Sequence, residues 1–267
     1  MRLTVDTAVD HVILYGEALA PMNEALRRLG FHTPDGKFYM FSRDYLECLT
    51  PDAGVAAKLG RKCDFFPGPS GLHSLIFWSD DADASYAALT KAGYKMAVPV
   101  METTRAVDAG GRKGTAVFRA SIFDRSLFPF GESMFVQHTT PDLVYIPGED
   151  LHPNGVDAIE ELYLCIPDEE KAKATRDLLQ RTEDLIRCGH PLHRCINRLS
   201  ISDQWESEFG ISLDPERSSV CGIRFSCRDF EKTRAVLASC GYPITEKEGG
   251  LVADLSQELN LFFYFKP

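Results

Sequence analysis

Hydrophobic and polar positions follow one recurring pattern along this chain. A short apolar run leads into apolar residues three or four apart, then a glycine followed by an aromatic. "DHVILYGEALAPMNEALRRLGF" (Asp10 to Phe31), "LHSLIFWSDDADASYAALTKAGY" (Leu72 to Tyr94) and "CGIRFSCRDFEKTRAVLASCGY" (Cys221 to Tyr242) all have it. The apolar run predicts a strand of about five to seven residues. The spacing of Met22, Leu26 and Leu29, and more loosely of Phe230, Val236 and Leu237, predicts a helix with one buried face. The glycine suits the left-handed position just past a helix end, where any other residue strains its Cβ. From strand start to glycine the count is nearly constant: 19 from His11 to Gly30, 20 from His73 to Gly93 and 20 from Cys221 to Gly241.

A fourth segment, "EELYLCIPDEEKAKATRDLLQ" (Glu160 to Gln180), has the strand and the helix but no clear Gly-aromatic stop. Its Glu161 falls in the slot of His11 and His73. Further strand-like runs follow the helices: "KFYMFSRDYLECL", "GTAVFRASIF" with "SMFVQH", and "LVADL" with "NLFFYF". Each unit reads β-α-β-β-β, and four units of similar length (73 − 11 = 62; 221 − 161 = 60) fill the chain. The last strands of the first two units also read in step, and the Thr-Pro-Asp after each is identical. "YLECLTPD" aligns with "FVQHTTPD", placing Glu47 on Gln137 and Cys48 on His138. The expected fold class is α+β: four tandem βαβββ modules paired into two curved mixed-sheet cups. The expected domains are residues 1–145 and 146–267.

Charge and composition narrow the function. Of 267 residues, 44% are hydrophobic and 25% charged, as in ordinary soluble globular proteins. A net charge of −10 disfavours nucleic acid, which needs a basic surface against its phosphates. No apolar run suggests a signal peptide or a membrane span. The eight cysteines include no CxxC pair, and Cys48, Cys165 and Cys221 sit in apolar runs, so reduced thiols and a cytoplasmic location are expected. Cys188, His190, His193 and Cys195 cluster in sequence but match no structural zinc spacing. "DAGGRKG" (Asp108 to Gly114) lacks the phosphate-loop pattern and reads as a hairpin turn. No serine-nucleophile motif is present.

The tandem units, together with "YLECL", "FVQHTTPDLVY" and "HPNG" (His152 to Gly155), resemble the vicinal oxygen chelate superfamily. Its members include glyoxalase I and the extradiol ring-cleaving dioxygenases, and the likeness is greatest to its glyoxalase-like domain proteins. In that superfamily the first and last strands of two paired units supply metal ligands. Carried over, these are His11, Glu47, His73 and Gln137, holding one divalent metal ion (Fe, Mn, Ni, Co or Zn). Two imidazoles and one carboxylate on one face suit Fe(II) among these. His138 is the competing fourth ligand, because a bulge could exchange it with Gln137. Each residue also has a plain alternative: His11 as a core histidine, Glu47 turned to water. The catalytic base is expected to be Glu47 or His138. Arg105 and Arg119, on either side of the glycine turn, are candidate clamps for a substrate carboxylate. The resemblance adds His152 and Asn154 at the site edge.

The third and fourth units hold Glu161 and Cys221 in the ligand slots, which implies a degenerate second cup. The expected activity is a metal-dependent lyase or isomerase acting on a small oxygen-rich substrate through a chelated oxyanion. The alternatives are an Fe(II) dioxygenase in the same cup and a non-catalytic small-molecule binding protein. The expected partner is that small molecule, with neither nucleic acid nor membrane. One chain can form both cups, so monomer and homodimer are equally compatible.

Overall fold

The computed structural model describes residues 1–50, 71–187, 197–214 and 219–267. The first unit runs β1 (Leu3–Thr7), β2 (Val9–Tyr15), α1 (Leu19–Arg28), β3 (Phe38–Met40) and β4 (Tyr45–Leu49). The second runs β5 (Gly71–Trp78), α2 (Ala82–Lys91), β6 (Met96–Ala109), β7 (Arg112–Phe123) and β8 (Met134–His138). The third has β9 (Val156–Cys165), α3 (Glu169–Arg187), β10 (Asn197–Ser202) and α4 (Trp205–Phe209). The fourth has β11 (Val220–Cys227), α5 (Phe230–Leu237), β12 (Ile244–Lys247), β13 (Gly250–Asp254), α6 (Ser256–Leu259) and β14 (Phe262–Lys266). The expected α+β class is what the chain adopts. The cluster at Cys188 to Cys195 lies outside the described residues.

The Gly-aromatic stops work as helix terminators. Gly30 and Gly93 have φ of 79° and 88°. Gly30 N–H donates to Arg27 O and Phe31 N–H to Leu26 O; Gly93 and Tyr94 do the same with Thr90 and Leu89. This paired closure satisfies the orphan carbonyls of the last turn. It also drives the aromatic inward, and both Phe31 and Tyr94 are buried. The predicted face of α1 (Met22, Leu26, Leu29) is buried as well. At the glycine turn, Ala109 pairs with Arg112 across Gly110 and Gly111, whose φ values of 53° and 74° match the two-residue turn that suits strand twist.

In each unit the strand that leads into the first helix pairs in parallel with a later strand of the same unit: β2 with β4, β5 with β8, β9 with β10 and β11 with β14. These leading strands run antiparallel between paired units, β2 beside β5 and β9 beside β11. Two half-sheets result, β3-β4-β2-β5-β8-β7-β6 and β1-β10-β9-β11-β14-β13-β12, joined where β5 pairs with β11 at Leu72 and Val220.

Strand alternation sorts side chains onto two faces. Val12, Leu14 and Phe135 join the large core with α1, α2 and α3. Ile13, Tyr15, Leu49, Ile76, Met134 and Val136 line the concave face of the first half. In the second half the concave face holds Tyr163, Cys221, Val252, Phe262 and Tyr264, and α4 drops Trp205 and Phe209 into it. Trp205 is fully buried, and its indole N–H donates to Leu164 O at 2.8 Å. The second cup is thus filled by its own chain, while the first carries the polar groups.

Candidate metal centre in the first cup

Two bulges build this site. Across β2 and β5, Val9 faces Phe77 and His11 faces Ile76, so Asp10 is an extra residue. Val12 then faces Leu75 and Ile13 faces His73, so Ser74 is extra, with φ of 53°. Neighbours on a regular strand point to opposite faces; a bulge lets two successive side chains work on one side. Asp10 and His11 use that freedom. Asp10 Oδ1 lies 2.6 Å from His11 Nδ1, and Asp10 Oδ2 lies 2.6 Å from His138 Nε2. Tyr145 Oη donates to the same Oδ2 at 3.1 Å.

The second nitrogen of His11 faces Glu47, with Nε2 and Oε2 3.3 Å apart. Tyr45 stacks on the His11 ring at 4.2 Å, and Trp78 stacks on His138 at 4.8 Å. His73 and Glu47 sit in register on either side of Ile13, so His11, Glu47 and His73 share the concave face. His73 is buried, with its ring edge-on to Tyr15 at 6.2 Å.

The electrostatics follow from burial and pairing. Burial works against a charged His11, but the hydrogen bonds its ring donates to Asp10 and Glu47, with the charges of those carboxylates, outweigh it and push the imidazole up to about 9. Burial would also raise the Asp10 pKa; the charge of His138 and its hydrogen bonds to both imidazoles instead hold it well below the usual carboxylate range. Tyr45 is pushed far up by burial and by the nearby Asp10 and Glu47 carboxylates.

Two of the expected donors are spaced as neighbours on a divalent ion would be. Two adjacent ligands each about 2.1 Å from one metal stand about 3 Å apart, close to the 3.3 Å between His11 Nε2 and Glu47 Oε2. A carboxylate on the far nitrogen of a metal-bound imidazole is the usual orienting partner, and Asp10 occupies that place. His73 offers a third donor on the same face. Among the described residues, no three His, Cys, Asp or Glu side chains are already gathered around one point.

Gln137 departs from the expectation. On β8 it is Met134, Val136 and, by alternation, His138 that face the cup, which turns Gln137 outward. Its Oε1 accepts from Ala82 N–H at 3.1 Å and its Nε2 donates to Asp80 O at 2.9 Å, tying β8 to the start of α2. The identical letters of the two stretches, Thr140, Pro141 and Asp142 in the second, lie beyond β8 and not in its pleat, and the alignment is one residue out of phase with the facing residues. His138 is the β8 residue brought to His11, through Asp10.

The four substrate-side candidates also separate. Arg119 faces outward beside Gln137 and forms a two-pronged salt bridge with Asp83, at 2.5 and 2.9 Å. His152 is buried away from the cup, accepting from His32 N–H on Nδ1 and donating to Met40 O from Nε2. Asn154 is buried too and ties Leu29 O to Val156 N–H, closing the chain against α1. Both carry backbone bonds that a substrate would have to displace. Arg105 alone keeps a position on the cup side, with its guanidinium 4.1 Å over the ring of Phe38.

Asp10, Tyr145 and Trp78 were not anticipated. The signal for Asp10 was a carboxylate in the apolar run "VDHVIL", directly before a proposed ligand. In the second half Glu161 occupies the equivalent of the His11 slot and is held by Arg2 and Arg224, each at 2.7 Å, and by Tyr163 and Ser200. Two guanidiniums neutralise the carboxylate there.

A model of the glyoxalase-like domain matches residues 9–179, and the chain belongs to that family. Its fold is that of the vicinal oxygen chelate superfamily. Among solved structures it is similar to a xylose isomerase-like TIM barrel/4-hydroxyphenylpyruvate dioxygenase fusion protein, at 14% identity and TM-score 0.54. That match covers 98% of this chain and 49% of the fusion protein, so the chain spans about half of that relative's length. It is also similar to a mutant 4-hydroxymandelate synthase from Streptomyces coelicolor, at 12% identity and TM-score 0.54, covering 97% of this chain and 92% of the other. A third is 2,2',3-trihydroxybiphenyl 1,2-dioxygenase from Sphingomonas wittichii strain RW1, at 12% identity and TM-score 0.50, with coverages of 98% and 90%. No curated protein matches the sequence. Among the described residues no helix is long and apolar enough to cross a membrane.

Proposed function

We propose that the first cup is a metal-dependent enzyme centre acting on a small oxygen-rich molecule as a lyase or isomerase, with His11, Glu47 and His73 as ligands of one divalent ion. The observation that carries this reading is the His11–Glu47 separation of 3.3 Å combined with Asp10 on the far nitrogen of His11. A bound ion would supply Lewis-acid stabilisation to a substrate oxyanion.

The rest is the work of the chain's own residues. Asp10 fixes the ring of His11 and the ring of His138 at once. With Nε2 of His138 engaged by Asp10, its Nδ1 is buried and has no hydrogen-bond partner among the described residues. His138 accepts a proton at Nδ1, and Asp10 stabilises the imidazolium that forms, as a buried carboxylate does for a general base. Glu47 is the second candidate base, at the same mouth. Ile13, Ile76, Met134 and Val136 keep water away from the reacting atoms.

A second reading, an Fe(II) dioxygenase, gains support from the set of two imidazoles and one carboxylate and from the dioxygenases among the structural relatives. One experiment addresses both. The apoprotein is loaded separately with Fe(II), Mn, Ni, Co and Zn against a competing chromophoric chelator, in wild type and Glu47→Gln, and oxygen uptake is followed with a panel of diols and 2-oxo acids. Binding at least about tenfold weaker in Glu47→Gln supports the centre. Oxygen uptake confined to the Fe(II) form moves the assignment to the dioxygenase. Equal binding in both proteins removes Glu47 from the site and overturns the reading. Ligand binding that persists without any metal would favour the binding-protein alternative.

A further inference from the structure

Beside the proposed metal centre, on the same concave face, lies a cavity of about 260 Å³. Phe38 and Met40 of β3 pair with Glu47 and Tyr45 of β4 and so face the cup with them. The hairpin of β6 and β7 closes over them with Arg105 and Val107, and Val144 and Ile146 form the far wall. Phe38 contacts Tyr45 at 5.9 Å, and Tyr45 stacks on His11 at 4.2 Å. The alcove therefore adjoins the centre through the rings of Phe38 and Tyr45.

The charges in this alcove are unequal in one respect. Asp35 accepts from the Thr33 hydroxyl and from the backbone of Lys37 and Phe38. Asp108 faces Lys113 at 3.4 Å. Glu149 stands at the hairpin-tip end, against Gly110. Arg105 has no counter-charge among the described residues: its plane lies on Phe38, and its Nε is buried without an acceptor. A half-buried guanidinium with an unused donor is a costly arrangement that a carboxylate satisfies in two-pronged fashion.

We propose that this alcove binds the carboxylate end of a small monocarboxylic acid with an apolar body, and that Arg105 sets this specificity. The carboxylate pairs with Arg105, away from Glu149 and Asp108, and the apolar body lies against Met40, Val107 and Ile146. The proposal rests on the reading of the first cup as an enzyme site and names the substrate class for it. A pocket with apolar walls and a few placed polar groups is the usual form of such a site.

The test is calorimetric titration of the full chain with hexanoate, phenylacetate and 3-phenylpropionate, each against its neutral amide. Wild type, Arg105→Met and Arg105→Lys are compared, and thermal unfolding and metal uptake are measured on the same samples. The expected result is at least about tenfold preference for the best acid over its amide in wild type, lost in Arg105→Met and partly kept in Arg105→Lys. Equal affinity for acid and amide, unchanged acid binding in Arg105→Met, or no saturable binding of any acid in the millimolar range would each overturn it. Metal uptake reads the ligand set independently. Uptake without acid binding leaves the centre standing and removes the alcove; acid binding without uptake does the reverse.

Discussion

Asp10 holds two imidazoles and a phenol on one carboxylate inside the protein. Replacing it with Asn keeps the shape and removes the charge. The expected outcome is that the His11 pKa, up at about 9 in the apoprotein, falls by more than one unit in an NMR titration. Metal affinity should fall about 10- to 100-fold, the usual cost of losing such a partner.

A second prediction at this scale concerns His152. Burial lowers its pKa to about 4, so the folded protein favours the neutral ring. Its contribution is fully present above the unfolded value of about 6.5 and is lost as pH falls through 4, a difference of about 3 kcal/mol. Urea unfolding at pH 7 and pH 4.5 should show that loss in wild type and a smaller one in His152→Asn.

That His11, Glu47 and His73 share one face of the cup was legible, because equivalent slots in repeated units point the same way. Asp10 was not, because alternation assigns it the opposite face from His11 and the bulge that overrides alternation has no letter of its own. Gln137 misled for the related reason that sequence likeness does not report the pleat.

Among the elements, the strand–helix–glycine grammar was the most readable feature, since each part has a local cause. Gly30 illustrates how tightly the stop is built. At φ of 79°, an added Cβ would meet Val236 Cγ1 at 2.7 Å and Asn154 Cβ at 2.9 Å. Gly30→Ala should cost about 2 kcal/mol or more in chemical unfolding, by left-handed strain and collision together. Gln137→Ala should cost about 1 kcal/mol, because it frees the first turn of α2, and should leave metal affinity unchanged. His138→Ala, which faces the cup, should change the pH dependence of turnover. The length of the β6–β7 hairpin, and its closure over β3 to make an alcove, were not readable, since they depend on contacts distant in sequence.

For the molecule as a whole, the repeat has been put to two uses. The first cup keeps polar groups on its concave face; the second replaces them with a paired Glu161 and fills its hollow with Trp205 and Phe209. Shortage of ligand-type residues in the later units was visible in the letters, whereas α4 as the filler was not, because nothing local marks a five-residue helix for burial. Trp205→Ala should cost about 3 to 5 kcal/mol of stability, seen as a lower urea midpoint, while metal uptake by the folded protein stays at the wild-type level.

The proposed divalent ion among His11, Glu47 and His73 underlies every other assignment in the first cup. Elemental analysis of the purified full chain, wild type against His73→Ala, tests it most directly. Near-stoichiometric iron, manganese, nickel, cobalt or zinc in wild type, lost from a variant that still folds, is the predicted result. No metal in the wild-type protein, and none taken up on reconstitution, would contradict it and leave the first cup as a binding pocket.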